Sequence, residues 1–340
     1  MFKKVFSSLI LSLVVVILIL SCSQGGSKKL TINFSHTMAP NSLSDIAANK
    51  FKELVESGSD NTIRVNVVPN CGLSGGDLTK AIEMVSTGDI DIHASSPNNL
   101  ANFDNRYYVF WMPFMFTTEE SIYRICSNEK IKNEVGSWSF NMGIKLLGFH
   151  NAGARQISNS KKIIRTPEDL KGMNIRVPGA TIFIDLYRDY FLANPTAMDF
   201  SEVYTALQQK TIDGQENPIS VFDSSKFNEV QKYITLWNYV RDITGWFISD
   251  KTLNKLNEEQ KILLEKCANE SLNFANEYIK QSEVDIIEKI QKQNVVVTRL
   301  TSQEEKAFQD VSEPIYTKYQ NIIGEDVINL FRSVAKDNNN

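Results

Sequence analysis

Between Leu30 and Ala94 the chain passes repeatedly from a strand-like to a helix-like apolar pattern, and this alternation limits its possible folds more than any other feature. Leu30–Ser35 is a short apolar strand pattern. Ser44–Ser57 then spaces Ile46, Ala47, Phe51, Leu54 and Val55 as one face of an amphipathic helix. Ile63–Val68 reads as the next strand. Gly75-Gly76-Asp77 opens a second helix that runs through Val85 to Gly88, and Ile90–Ala94 is a third strand. Such a strand–helix–strand–helix–strand order predicts an α/β fold with a parallel sheet, whose strand-end loops form a ligand crevice. The Leu73–Asp77 loop matches neither phosphate-cradling glycine motif, so it is read as a tight strand-to-helix turn placed to wall that crevice.

A second α/β region begins near Leu146. Lys145–Phe149 reads as a strand, with Ile157–Ser158 continuing it beyond Gly153-Ala154-Arg155. Thr166-Pro167-Glu168-Asp169 is a helix start, with Thr as cap, Pro in the first turn and acids beside it. Asn174–Val177 is a strand stopped by Pro178-Gly179, which puts Arg176 near its C-terminal end. Helices are predicted over 181–191 and after Phe200, and Asp213-Gly214 turns the chain into Gln215-Glu216-Asn217-Pro218. The mature chain of about 320 residues is long enough that one core would split, so two lobes are expected.

At the N-terminus Lys3 and Lys4 precede an apolar run from Val5 to Leu20 that ends at Ser21-Cys22. This is the pattern of a signal peptide over residues 1–21 with Cys22 as a lipidation site, followed by a polar tether over 22–29. The expected product is a membrane-anchored lipoprotein at the periplasmic or outer cell surface. Loss of Lys3 and Lys4 with the leader moves the formal net charge from -4 to -6. Nucleic acid is therefore not an expected partner, and any anion site must be built locally from named cations.

Cys71, Cys126 and Cys267 are far apart and odd in number, which favours buried apolar thiols and leaves one disulfide open. His36, His93 and His150 are isolated from one another and from other ligating residues, so neither a metal nor another cofactor is expected.

The segments Asn151–Arg155 (NAGAR), Thr166–Pro178 (TPEDLKGMNIRVP), Phe200–Leu207 (FSEVYTAL) and Asp213–Pro218 (DGQENP) occur in this order. Together with Val109–Phe116 (VFWMPFMF) and Lys226–Tyr233 (KFNEVQKY), they make the chain resemble the extracytoplasmic solute-binding proteins of tripartite ATP-independent periplasmic (TRAP) transporters, the DctP family. The resemblance implies a two-lobed clamp, each lobe a mixed, mostly parallel sheet with flanking helices, that closes on a small organic acid and docks on the small and large membrane subunits of a permease. It implies that Arg176 clasps the ligand carboxylate, with Asn217 and Arg155 beside it. The chemistry fits: guanidinium gives two parallel hydrogen bonds to a carboxylate, and an amide both donates and accepts. Each of the three also has an ordinary structural role open to it, as a helix cap or a surface arginine.

Phe200 and Trp237 are further cleft candidates, the latter equally a core residue. Thr37 and Ser96 follow first-lobe strands and would face the ligand from the other side. Serine at 96 sits near the position that is acidic in the sialic-acid-binding branch, which argues against that ligand. The expected division is 30–153 plus 243–282 for one lobe and 154–242 plus 283–336 for the other, with a polar tail at 337–340. From Asn257 to about Gln293 the sequence reads as nearly continuous helix, ~50 Å long, which suits a spine across both lobes. No nucleophile elbow or paired-acid motif marks an enzyme, although Glu202 and Glu216 would be the carboxylates of a secreted hydrolase. A ligand-sensing clamp for a signalling receptor would carry the same pattern.

Overall fold

The computed structural model describes residues 29–336. The expected signal peptide, Cys22 and the tail at 337–340 lie outside the described residues. Among the described residues ten strands carry the fold: β1 (Leu30–His36), β2 (Ile63–Val68), β3 (Ile92–Ser95), β4 (Ile144–Asn159), β5 (Asn174–Val177), β6 (Asn194–Ala197), β7 (Gly214–Pro218), β8 (Tyr233–Leu236), β9 (Arg241–Ser249) and β10 (Val296–Arg299).

The expected alternation gives a first sheet in the order β2-β1-β3, all parallel, and β3 then meets β9 antiparallel. The helix Leu43–Gly58 covers it, capped by Ser42, whose hydroxyl accepts from the Asp45 amide. It buries Ala47, Phe51 and Val55 against Phe34 and Trp246, whose rings meet edge to face at 4.8–5.6 Å. The second helix starts later than the sequence suggests. Gly72–Ser74 is a single tight turn, Asp77 is the cap, and the helix spans Leu78–Thr87.

The two strand segments expected at Lys145–Phe149 and Ile157–Ser158 are one strand of 16 residues, β4. Its first part pairs with β9, and from Arg155 onward it pairs with β7 and β8. β5 and β6 extend the second sheet in parallel beyond β7, and β10 lies parallel to β8. The fold is thus the expected two-lobed α/β clamp, with β4 passing from one lobe to the other. Gly153 sits at this crossing with φ of 96°, beside a break in the β4/β9 register. A Cβ there would collide with the carboxylate of Glu283, so the crossing needs glycine for both reasons.

Glu283 comes from the helix Glu258–Lys292, which has Asn257 as its cap and a reciprocal bond from Gln260. Its 35 residues span about 52 Å. It buries Leu264, Ala268 and Ala275 against the first lobe and Ile290 against the second. The later helices join both lobes as well. Ser302–Ser312 lies by the turn at Pro167–Leu170, whereas Pro314–Ile323 and Glu325–Ala335 pack on residues 105–127. There Phe331 meets Phe110 and the Tyr316 hydroxyl donates to the Pro113 carbonyl. The three described cysteines are free and buried. No helix among the described residues is long and apolar enough to cross a membrane.

Candidate ligand-binding site

A cavity, partly open to solvent, lies between the lobes at the β4 crossing. From the first lobe it is lined by Thr37, Ser96, Trp111 and the turn containing Cys71 and Gly76. From the second it is lined by Arg155, Arg176, Phe200 and Asn217. Across its mouth the lobes nearly touch, since a Cβ on Gly76 would stand 3.1 Å from the Ser201 hydroxyl. The Leu73–Asp77 turn is therefore a cleft wall, as its place at a strand end suggests. Asp77 and Glu202 there join burial in pushing the Asp199 carboxyl above its ordinary range.

Six of the seven expected ligand residues meet at this cavity. Trp237 does not join them. Its indole packs at 4.4 Å from the Tyr239 ring and 5.1 Å from Phe308, within an aromatic core that also takes in Tyr187 and Phe191. Trp111, His150 and Asp242 are among the lining residues that escaped the sequence reading. Trp111 lies inside the VFWMPFMF segment. Asp242 was visible as an acid at the head of the largely apolar run Ile243–Ile248, and a buried acid calls for a cation.

The two arginines differ in what surrounds them. Arg155 stands on β4 opposite Pro218, next to the β7 residues that answer its charge. Its Nε donates to Glu216 at 2.5 Å and its Nη2 to the same carboxylate at 2.7 Å, while Nη1 donates to Asp242. Nη2 also reaches the Asn217 side-chain oxygen at 3.1 Å. Trp111 and Phe183 lie under the guanidinium at 5.5 and 5.6 Å. Burial disfavours this charge, yet Glu216 and Asp242 outweigh it and hold its pKa well above the ordinary value. The carboxylates are in turn held by Tyr239, Ser96 and Trp111, whose donors lie 2.5, 2.9 and 3.1 Å away.

Arg176 has no such partner. It is only 4% exposed, and its Nε and Nη2 both donate to the Met198 carbonyl, at 3.1 and 2.8 Å. Phe200 lies 5.8 Å from its guanidinium. Burial pushes its pKa down to about 10, with Glu216 opposing and Arg155 adding to the fall. At pH 7 it is still charged, so an incompletely neutralised cation is buried in the cavity wall. A carboxylate would supply the missing countercharge.

Asn217 is held at its expected place. Its amide nitrogen donates to Gln215 at 2.6 Å, leaving one N–H, and its oxygen is engaged by Arg155. Ser96 already donates to Asp242, so it faces a ligand as an acceptor. No group of three or more His, Cys, Asp or Glu side chains among the described residues is arranged to hold a metal ion.

The chain is similar to known proteins in sequence and in fold. The family model described as bacterial extracellular solute-binding protein, family 7 (DctP), matches residues 34–322. The C4-dicarboxylate-binding periplasmic protein DctP of Vibrio cholerae is 30% identical over 316 residues, covering 91% of each chain. Among solved structures, the sugar acid binding protein DctPAm of Advenella mimigardefordensis, in complex with galactonate, superposes with a TM-score of 0.86 at 27% identity, covering 91% of this chain and 98% of that one. A TRAP periplasmic solute-binding protein of Sulfurospirillum deleyianum, with bound succinate, gives 0.85 at 27% identity, covering 90% of this chain and 99% of that one.

Proposed function

The chain belongs to family 7 of the bacterial extracellular solute-binding proteins, and we propose that it captures a small organic acid, of dicarboxylate or sugar-acid type, by pairing its carboxylate with Arg176. The observation that carries this reading is the buried Arg176 guanidinium, charged at neutral pH, with only a backbone carbonyl as hydrogen-bond partner. Relatives of similar likeness that hold galactonate and succinate support the ligand class.

The bound acid then passes to the small and large membrane subunits of a TRAP permease. Closure bends the crossing of β4 and β9, and ligand contacts made only in the closed form stabilise it. Residues 1–21 act as a secretion signal and Cys22 as the lipid anchor, so Cys22→Ala releases the protein from membranes into the soluble fraction. The protein binds without turnover, and an acid eluted after prolonged incubation is recovered chemically intact.

The decisive experiment is calorimetry with Arg176→Ala. Affinity for the bound acid falls by about 2–5 kcal/mol, since a charge-assisted pair is lost and a carboxylate is left stranded in the cleft. Unchanged affinity would sink the carboxylate clasp.

A further inference from the structure

The charge inventory of the cavity wall narrows the ligand, on the footing that Arg176 holds a carboxylate. Arg155 and Arg176 are the cations that line the cavity among the described residues, and Arg155 is already matched by Glu216 and Asp242. Asp199 stands at the same wall as a further acid. Glu216, Asp242 and Asp199 set three acids against two arginines, so the wall has no positive charge to spare beyond the one ligand carboxylate that Arg176, with no carboxylate in contact, can take. A second would face the opposite wall, where Thr37, Asn70, Ser96 and Asn99 bring no positive charge. The helix Leu43–Gly58 also reaches the cavity through Ser42–Ser44, but its first turn already contains the acid Asp45.

His150 adds a requirement of another kind. It is fully buried in the cavity wall, and its Nδ1 lies 2.9 Å from the Asn151 carbonyl oxygen. A carbonyl only accepts, so Nδ1 carries a proton and donates. Burial pushes the imidazole down to about 4, so at neutral pH the ring is uncharged and Nε2 is a lone pair. That Nε2 has no hydrogen-bond partner within the protein. An ionised carboxylate has no proton to offer it, whereas a hydroxyl does.

We propose that the site is built for a monocarboxylic acid bearing hydroxyl groups, with its carboxylate on Arg176 and a hydroxyl donating to Nε2 of His150, and that it discriminates against dicarboxylates. The shared fold accommodates both classes, so the choice lies in the wall of this chain. Aldonates of four to six carbons have the required chemistry.

The test is calorimetry at pH 7.5 on the full chain in detergent, with a panel of four- to six-carbon aldonates including galactonate, and with butanoate and succinate. The best aldonate is expected to bind at least tenfold more tightly than either comparison acid, roughly the effect of one satisfied buried acceptor. In His150→Phe its preference over butanoate is expected to fall by about tenfold. Succinate binding as tightly as the best aldonate, or an undiminished preference in a folded His150→Phe, overturns the proposal. If succinate binds that tightly and Arg176→Ala abolishes its binding, the carboxylate clasp survives and only the hydroxy-acid assignment falls. Failure of every acid to bind overturns both.

Discussion

Arg155 and Arg176 lie in the same cavity wall and are both nearly excluded from water, yet their surroundings give them different work. Around Arg155 two carboxylates, an amide, a phenol and an indole form a closed network in which the charge is answered from several sides. Around Arg176 there is a backbone carbonyl and a phenyl ring. A buried charge that is fully paired holds its neighbours in place, while one left short of a partner stores a demand that a ligand can meet. On the proposed reading the first arginine sets the shape of the cavity and the second its affinity for a carboxylate.

The largest effect that would break this distinction is on folding. Arg155→Met is expected to cost about 3–5 kcal/mol in urea denaturation, because Glu216 and Asp242 are left buried without their cation. Adding Glu216→Gln should recover part of that loss. A stable Arg155→Met protein with weakened ligand binding would merge the two roles.

Glu283 extends the comparison to an anion at the β4 crossing. Burial and the nearby Glu119 push its carboxyl up to about 7, against the opposing pull of Arg241 and the Ala154 amide, and Tyr123 shares the field. The folded chain thus holds this proton more tightly than the unfolded chain does. Its contribution to stability is complete below about pH 4.5 and is lost as pH rises to about 7. Glu283→Gln removes that slope, so the variant gains on the wild type by up to about 3 kcal/mol above pH 7, read from paired denaturation curves at pH 4.5 and 8. Parallel curves for the two proteins would show that the crossing does not feel this charge.

Smaller effects sharpen the contrast. Trp237→Phe is expected to cost about 1 kcal/mol of stability through lost packing, with ligand affinity unchanged, because the indole belongs to the aromatic core. Arg176→Ala, expected to weaken binding, should cost less stability than Arg155→Met, since it strands no contacting carboxylate and relieves a buried charge while giving up two hydrogen bonds to the Met198 carbonyl. A large loss of stability in that variant would place Arg176 with Arg155.

The strand-and-helix frame was legible from periodicity because each element is half buried and spaces its apolar residues accordingly. Ile63–Val68 was located to the residue, and Leu30–His36 and Glu258–Lys292 to within about two. The continuity of β4 was hidden, since Asn151-Ala152-Gly153 looks like a break in the sequence, while the strand carries on past an irregularity in its pairing with β9 at Gly153. In the site, the RVP and QENP segments led to Arg176 and Asn217 through a recognisable order of motifs. His150 could not be singled out in the same way. Its meaning lies in a ring nitrogen left unpartnered, and that depends on the Asn151 carbonyl and on burial supplied by distant segments. Trp237 shows the converse, an aromatic in a loop beside the cleft that the fold turns inward.

The passage of β4 and β9 between the sheets also governs how the chain can assemble. Strand β3 finds its second neighbour only when Ile92 meets Ile248, more than 150 residues further on, and the spine helix closes over the first lobe later still. Neither lobe is a continuous stretch of polypeptide. A chain entering its compartment from the N-terminus can form the three parallel strands of the first sheet early, but their open edge waits for β9 to arrive. Folding is therefore expected to be slow and dominated by distant pairings, and a chain truncated before Arg241 should leave that edge exposed and prone to aggregate.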